Sequence, residues 1–194
     1  MAKNKTKAIF LDRDGTINQE SGFISNPEDF DIYPYSAQAI KLFNDNGFYV
    51  FIVTNQSGIA RGLLTFKDLE LIHHKMLSQL AAQSAVIDNI FISPYYREGH
   101  VVPYNIFHRD RKPGIGLFYQ ALKTYSFDLK ESYMIGDRYT DIIFGREAGL
   151  KTILVTSGEG EKEFLTNRQN WQRSPHYVVT DLLTAAEFIV AKDV

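Results

Sequence analysis

At 194 residues, with 44% apolar residues and a formal charge of -2, the chain can bury a full core and reads as one domain over residues 1–194. It has no basic excess, so neither nucleic acid nor an anionic membrane is expected as a partner. The absence of cysteine excludes disulfides, thiolate metal sites and a cysteine nucleophile. No apolar run is long enough for a membrane span, so the cytoplasm is the expected location and a monomer the expected state.

Apolar runs that read as strands alternate with helical stretches, the pattern of a parallel sheet with crossover helices. Lys7–Leu11 is the first strand, and it ends directly in Asp12-Arg13-Asp14-Gly15-Thr16. A helix over Tyr35–Asn46 closes at Gly47, a natural C′ residue, and Tyr49–Thr54 is the second strand. Thr65 and Asp68 occupy N-cap and N3 of an amphipathic stretch running to about Ser84. Asn89–Ser93 follows as a strand, then a helix at Ile115–Tyr125 and a strand at Ser132–Ile135. Thr140–Ala148 is helical and closed by Gly149, Thr152–Val155 and Tyr177–Val179 are strands, and Asp181 starts a last helix toward Val190.

Four polar segments each follow a strand, where an open parallel sheet binds its ligands. In the first, Asp12 and Asp14 leave the strand end as the chain turns. A carboxylate there can attack a phosphoryl group, and a second can protonate the leaving oxygen and later deprotonate water. In the second, Thr54-Asn55-Gln56-Ser57-Gly58, a hydroxyl and free amides can cradle a phosphate, although an ordinary polar turn has the same composition. In the third, Arg111-Lys112-Pro113-Gly114, a lysine can neutralise the transferring group and an arginine can fork onto a second anion. In the fourth, Gly136-Asp137-Arg138-x-x-Asp141, a carboxylate can serve a hard magnesium ion, while Asp141 can instead act as an N-terminal helix charge.

Taken in this order, the four segments resemble the motifs of the haloacid dehalogenase superfamily of phosphatases, over nearly the whole chain from Ala8 to Val179. The wording Thr54-Asn55-Gln56-Ser57-Gly58-Ile59-Ala60-Arg61-Gly62 and Ser25-Asn26-Pro27-Glu28-Asp29-Phe30 is similar to that of D-glycero-D-manno-heptose 1,7-bisphosphate phosphatases and the related histidinol-phosphate phosphatases, the heptose branch being favoured. The resemblance implies an α/β, Rossmann-like fold, with a central parallel sheet flanked by helices. It implies Asp12 as nucleophile, Asp14 as acid/base, and Thr54 and Lys112 as holders of the transferring group. It places a magnesium ion on Asp12, Asp137 and the backbone carbonyl of Asp14. Arg111 and Arg138 would contact the substrate beyond the phosphate. Asn55, Gln56 and Ser57 would line the same mouth, with Glu20, Ser21, Gly22 and Phe23 forming a mobile loop over it.

Many members of that family carry zinc on Cys-x-His and Cys-x-Cys, where this chain has Ser93, Tyr95, His108 and Asp110, so no zinc is expected. The loop from Pro94 to Asp110 must then be packed by other contacts, for which Tyr95, Tyr96, Tyr104 and Phe107 are the candidates. The spacings between Asp14 and Thr54 and between Ser57 and Arg111 leave no room for a cap domain. Short loops, Asn18–Tyr33 and Pro94–Asp110, must therefore choose the substrate, a small phosphate ester. The open alternatives are a histidinol-phosphate or promiscuous small-molecule phosphatase, a phosphotransferase to an acceptor other than water, and a non-catalytic sugar-phosphate binding module.

Overall fold

The computed structural model describes residues 6–20 and 22–192, and in them the strand-helix alternation becomes a single parallel sheet. Its strands are β1 (Lys7–Leu11), β2 (Phe48–Asn55), β3 (Asn89–Ser93), β4 (Tyr133–Gly136), β5 (Lys151–Val155) and β6 (Tyr177–Val179). The helices are α1 (Ser36–Asp45), α2 (Phe66–Ala81), α3 (Gly116–Leu122), α4 (Tyr139–Glu147), α5 (Gly160–Asn167) and α6 (Leu182–Lys192). The strand order is β3-β2-β1-β4-β5-β6. The chain winds outward from β1 to β3, then crosses to the other side of β1 to lay down β4. The order thus reverses between β1 and β4, and the crevice at their carboxyl ends is where such a sheet binds ligand.

Alternation along β1 divides the core between the two faces of the sheet. Ile9 and Leu11 pack with Val50, Ile52 and Ile135 against Ile40 and Phe43 of α1 and Ala185 and Ile189 of α6. Ala8 and Phe10 face the other way, with Phe51, Val53 and Met134, onto Leu117 and Phe118 of α3 and Phe144 of α4. The Phe10 ring lies 5.2 Å from that of Phe51 and 5.8 Å from that of Phe118. Burial on both faces explains why β1 and β2 are continuously apolar; each large side chain so buried contributes roughly 1.5–3 kcal/mol.

Local chemistry sets the helix ends. Thr65 Oγ1 accepts from the Asp68 amide at 3.2 Å while Asp68 Oδ2 accepts from the Thr65 amide at 2.8 Å, a reciprocal capping box. Gly47 at φ 78° terminates α1 in the left-handed region that a side chain resists. Asp181 Oδ1 accepts from the Thr184 amide at 2.8 Å and caps α6. Two helices are shorter than the sequence suggests: α2 stops at Ala81 rather than Ser84, and α3 at Leu122 rather than Tyr125. α5 has no counterpart in the sequence reading. Only Gly160 of its residues is buried, so it lies on the surface of the fold and contributes little to the core.

Between β1 and β2 the described residues form a 3-10 turn, Pro27–Asp29, and α1; between β2 and β3 they form α2. Loops and helix ends, rather than a cap, therefore border the sheet's carboxyl edge. Among the described residues no helix is long and apolar enough to cross a membrane.

Candidate active site

Strand β1 delivers Asp12 to the switch point. The Asp12 amide donates to Ile135 O at 2.9 Å, extending the pairing with β4 by one residue before the chain turns. The turn is closed by the amides of Thr16, Ile17 and Asn18, which all donate to Arg13 O. It passes through Gly15 at φ 77°, where a Cβ would collide with the Asp137 carboxylate.

The two acids of this turn stand in opposite environments. Asp12 is buried, with Lys112 Nζ at 2.9 Å from its Oδ1. Burial, and next the charge of Asp141, push its pKa up to about 7 against the pull of Lys112. Asp14 is enclosed by donors: Arg13 Nη2 reaches both oxygens, Asn18 Nδ2 reaches Oδ1 at 3.0 Å, and Gln56 Nε2 reaches Oδ2 at 3.0 Å. Burial works to raise its pKa, but the Arg13 charge and these hydrogen bonds outweigh it and hold the carboxyl below its ordinary value. Neighbouring carboxylates whose proton affinities are driven apart are equipped for different parts of one reaction.

Lys112 is buried and bridges two acids, with Nζ 2.9 Å from Asp12 Oδ1 and 2.7 Å from Asp141 Oδ1. Burial alone would lower its pKa, yet the two carboxylates raise it, so the ammonium stays charged. Its position is fixed from β2: Asn55 Oδ1 accepts from the Lys112 amide at 3.0 Å while Asn55 Nδ2 donates to Lys112 O at 3.1 Å. Beside it, Thr54 Oγ1 accepts from Gln56 Nε2 at 2.8 Å, so the end of β2 is tied to Asp14 through Gln56.

Strand β4 ends at Gly136, and Asp137 and Arg138 lead from it into α4. Asp141 Oδ2 accepts from the Arg138 amide at 3.0 Å, so Asp141 both starts the helix and pairs with Lys112. Asp137 Oδ2 accepts from the Glu159 amide at 2.9 Å, while its buried Oδ1 has no hydrogen-bond partner among the described residues. Burial first, then the charges of Asp12 and Asp141, raise the Asp137 pKa well above the usual carboxylate range. Carboxylate oxygens of Asp12, Asp137 and Asp141 all lie within 4.8 Å of one another. Three buried acids gathered at one point, two of them paired with Lys112 and the third with an oxygen that accepts no hydrogen bond among the described residues, fit a hard divalent cation taking oxygen ligands. The Asp14 side chain is not in this cluster, because Arg13 engages both of its oxygens.

Above these groups lies a cavity of about 770 Å³, within the range of small-molecule sites. Asp12, Asp14, Thr54, Asn55, Gln56, Ser57, Arg111, Lys112 and Arg138 all reach it, and Glu20, Gly22 and Phe23 form one rim. Ser21 lies outside the described residues. Arg138 Nη2 pairs with Glu20 Oε2 at 3.2 Å, joining that rim to β4. Arg111 has no carboxylate within ion-pairing distance among the described residues. Its Nη1 donates to Tyr95 O at 3.2 Å. A further part of the lining, made by Tyr139, Glu163, Asn167, Asn170 and Trp171, went unrecognised in the sequence. The available signal was the chain's single tryptophan, set in a stretch rich in asparagine and glutamine.

The loop from Pro94 to Asp110 is held by ring contacts. Tyr95 stacks on His108 at 3.9 Å between centroids, Phe66 meets Tyr104 at 5.4 Å, and Tyr96 lies between Arg61, at 3.9 Å, and Arg111, at 5.1 Å. Phe107 does not share in this packing: it is 87% exposed, because the loop turns its ring outward. Asp110 accepts from Gln120 Nε2 of α3 at 2.9 Å. Within this loop, Tyr96, Arg97, Glu98, Ile106 and Phe107 line a smaller adjoining groove rather than the main cavity.

Residues 110–185 match a family described as HAD-hydrolase-like. The chain is 37% identical over 186 residues to a D-glycero-D-manno-heptose-1,7-bisphosphate 7-phosphatase of Thermosynechococcus vestitus, covering 94% of each protein. It is 38% identical over 164 residues to the D-glycero-beta-D-manno-heptose-1,7-bisphosphate 7-phosphatase of Haemophilus ducreyi, covering 81% of this chain and 90% of that one. Its fold superposes with a TM-score of 0.84 and 34% identity on the crystal structure of a D,D-heptose 1,7-bisphosphate phosphatase from B. bronchiseptica complexed with magnesium and phosphate, covering 96% of this chain and 99% of that one.

Proposed function

The chain belongs to the D-glycero-D-manno-heptose-1,7-bisphosphate 7-phosphatase family of HAD-like hydrolases, and from that premise we propose that it removes the 7-phosphate of a heptose 1,7-bisphosphate. The observation that carries the chemistry is the divergence of Asp12 and Asp14: one carboxylate lies against a lysine and two further acids, the other inside a cage of donors.

Asp12 is the nucleophile. Its carboxylate attacks phosphorus in line, the ester bond breaks, and an aspartyl-phosphate forms, so one difficult hydrolysis becomes two easier displacements. Lys112 and Thr54 hold the transferring group, and Asn55 keeps Lys112 in place by pairing with its backbone on both sides. Asp12, Asp137 and Asp141 would hold magnesium through their carboxylates, with the Asp14 carbonyl contributing. When bound, that ion supplies the positive charge that offsets the phosphoryl oxygens.

Asp14 handles the protons. Arriving phosphate charge raises its proton affinity, so it can carry a proton to the departing sugar oxygen. Once the sugar has left, Arg13, Asn18 and Gln56 favour its ionised form, which then accepts a proton from the attacking water. Arg111 has a guanidinium at the mouth without an acidic partner among the described residues, and this suits the second phosphate of a bisphosphate.

The test is magnesium-dependent phosphate release from heptose 1,7-bisphosphate, histidinol phosphate and a panel of sugar monophosphates, with Asp12→Asn as the blank. A preference for the heptose bisphosphate is expected. Uniform, weak release across the panel would sink the assignment of the substrate while leaving the reaction class.

A further inference from the structure

We propose that Trp171, flanked by Asn167 and Asn170, is the platform on which the substrate's sugar chain is recognised. The inference rests on the sugar-phosphate reading above and extends it to the part of the substrate that does not react.

Trp171 lines the same cavity as Asp12, Glu20 and Phe23 but reaches it from the segment after α5. It is held there rigidly. Its indole stacks on Tyr139 at 4.8 Å between centroids and 11° between planes, and Phe164 meets it edge-on at 6.1 Å. The Tyr139 hydroxyl accepts from the amides of Gln172 at 2.9 Å and Arg173 at 3.3 Å, clamping the backbone that carries the indole. Tyr139 is the first residue of α4 and directly follows Arg138, so the indole is indexed to the loop that carries Asp137.

A phosphoryl group between Lys112 and Thr54 fills only one end of a cavity of about 770 Å³. The remainder must receive the alcohol portion. A polyol offers a C–H face to an aromatic ring and hydroxyls to amide groups, and this part of the lining presents both. Asn167 and Asn170 have no side-chain hydrogen bond among the described residues, so their amides are available, whereas both ends of the Asn55 amide are engaged by the Lys112 backbone. A stack serving only to pin the segment would have no reason to place open amides on the cavity wall beside it.

Steady-state kinetics separate the platform from a merely structural stack. Wild-type protein, Trp171→Ala and Trp171→Phe are compared on heptose 1,7-bisphosphate and on propyl phosphate, which carries a reacting ester but no polyol. The expected result is that Trp171→Ala loses about tenfold in kcat/KM on the heptose bisphosphate, through KM, with propyl phosphate unaffected and Trp171→Phe largely restored. Equal losses on both substrates, or none on either, overturn the platform alone. A wild-type enzyme with no preference for the heptose bisphosphate over propyl phosphate overturns the substrate reading and the platform together.

Because Trp171 is the chain's single tryptophan, the unmodified protein gives a second readout. During turnover well above KM, its fluorescence should shift and return when substrate is exhausted, while inorganic phosphate alone leaves it unchanged. Steady emission throughout turnover overturns the proposal even where Trp171→Ala fails to fold.

Discussion

Arg13 closes on the carboxylate of Asp14, its immediate neighbour, with Nη2 2.8 Å and 2.9 Å from the two oxygens and Nε 3.1 Å from Oδ1. Adjacent residues of a strand point to opposite faces, so the pair exists only because the chain turns as it leaves β1. The guanidinium is 2% exposed and its partner is also largely enclosed.

Removing one member of such a pair leaves the other charge buried without compensation, which costs about 3–5 kcal/mol. Arg13→Met should therefore destabilise the protein by about 3 kcal/mol, the lower end, because Asp14 retains Asn18 and Gln56 as donors. Urea unfolding at neutral pH measures this as a lower midpoint. Adding Asp14→Asn to the same chain should restore part of the loss. An Arg13→Met midpoint equal to wild type would show that the pair contributes no net stability.

Asp12→Asn should separate function from stability. The carboxylate lies near Asp137 and Asp141, and burial and like charge already disfavour its ionised form. Neutralising it relieves that repulsion, so the Tm in chelator should stay level or rise while turnover falls by at least about 10³-fold. A variant that keeps a substantial fraction of wild-type turnover at equal purity would remove Asp12 from the role of nucleophile.

Asp137→Asn retains an oxygen to accept from the Glu159 amide, so the turn before α5 should persist. What is lost is one charge of the acidic cluster. The magnesium concentration for half-maximal activity should rise by at least about tenfold, with less change at saturating metal. An unaltered magnesium titration would take Asp137 out of the metal site.

The parts of this fold legible in the sequence are those decided by neighbouring residues. Thr65 and Asp68 cap each other across one helical turn, Gly47 takes a conformation that other residues resist, and the apolar register of β1 and β2 reflects burial on both faces. Three of the candidate segments were readable because each directly follows a strand, β1, β2 or β4, and strand ends in a parallel sheet converge; Arg111-Lys112, separated from β3 by the Pro94–Asp110 loop, was readable from its residue types alone. The double engagement of Asp141 was not readable, since it depends on the loop that carries Lys112 meeting the start of α4. Trp171 escaped for a related reason. Its position depends on a stack with Tyr139, distant in sequence, and of α5 before it only Gly160 is buried. Phe107 was misjudged because ring hydrophobicity alone does not reveal which way a loop turns it.

His73 gives the fold a pH dependence that can be isolated. It sits on α2 with its Nε2 3.3 Å from Arg13 Nη1, a contact that requires the neutral ring to accept the hydrogen bond. Burial first, then the Arg13 charge, lower its pKa to about 4 from an ordinary 6.5, with Asp14 pulling weakly the other way. The unfolded chain therefore takes up a proton below pH 6.5 that the folded chain refuses until about pH 4. Stability from this residue is complete above the unfolded value and is lost as pH falls through that window, by up to about 3 kcal/mol. His73→Gln keeps an acceptor for Arg13 but has no proton to gain. Unfolding free energies taken across the window should therefore fall less steeply in His73→Gln than in wild type. Parallel curves for the two proteins would show that His73 titrates alike in both states and that the acid sensitivity arises elsewhere.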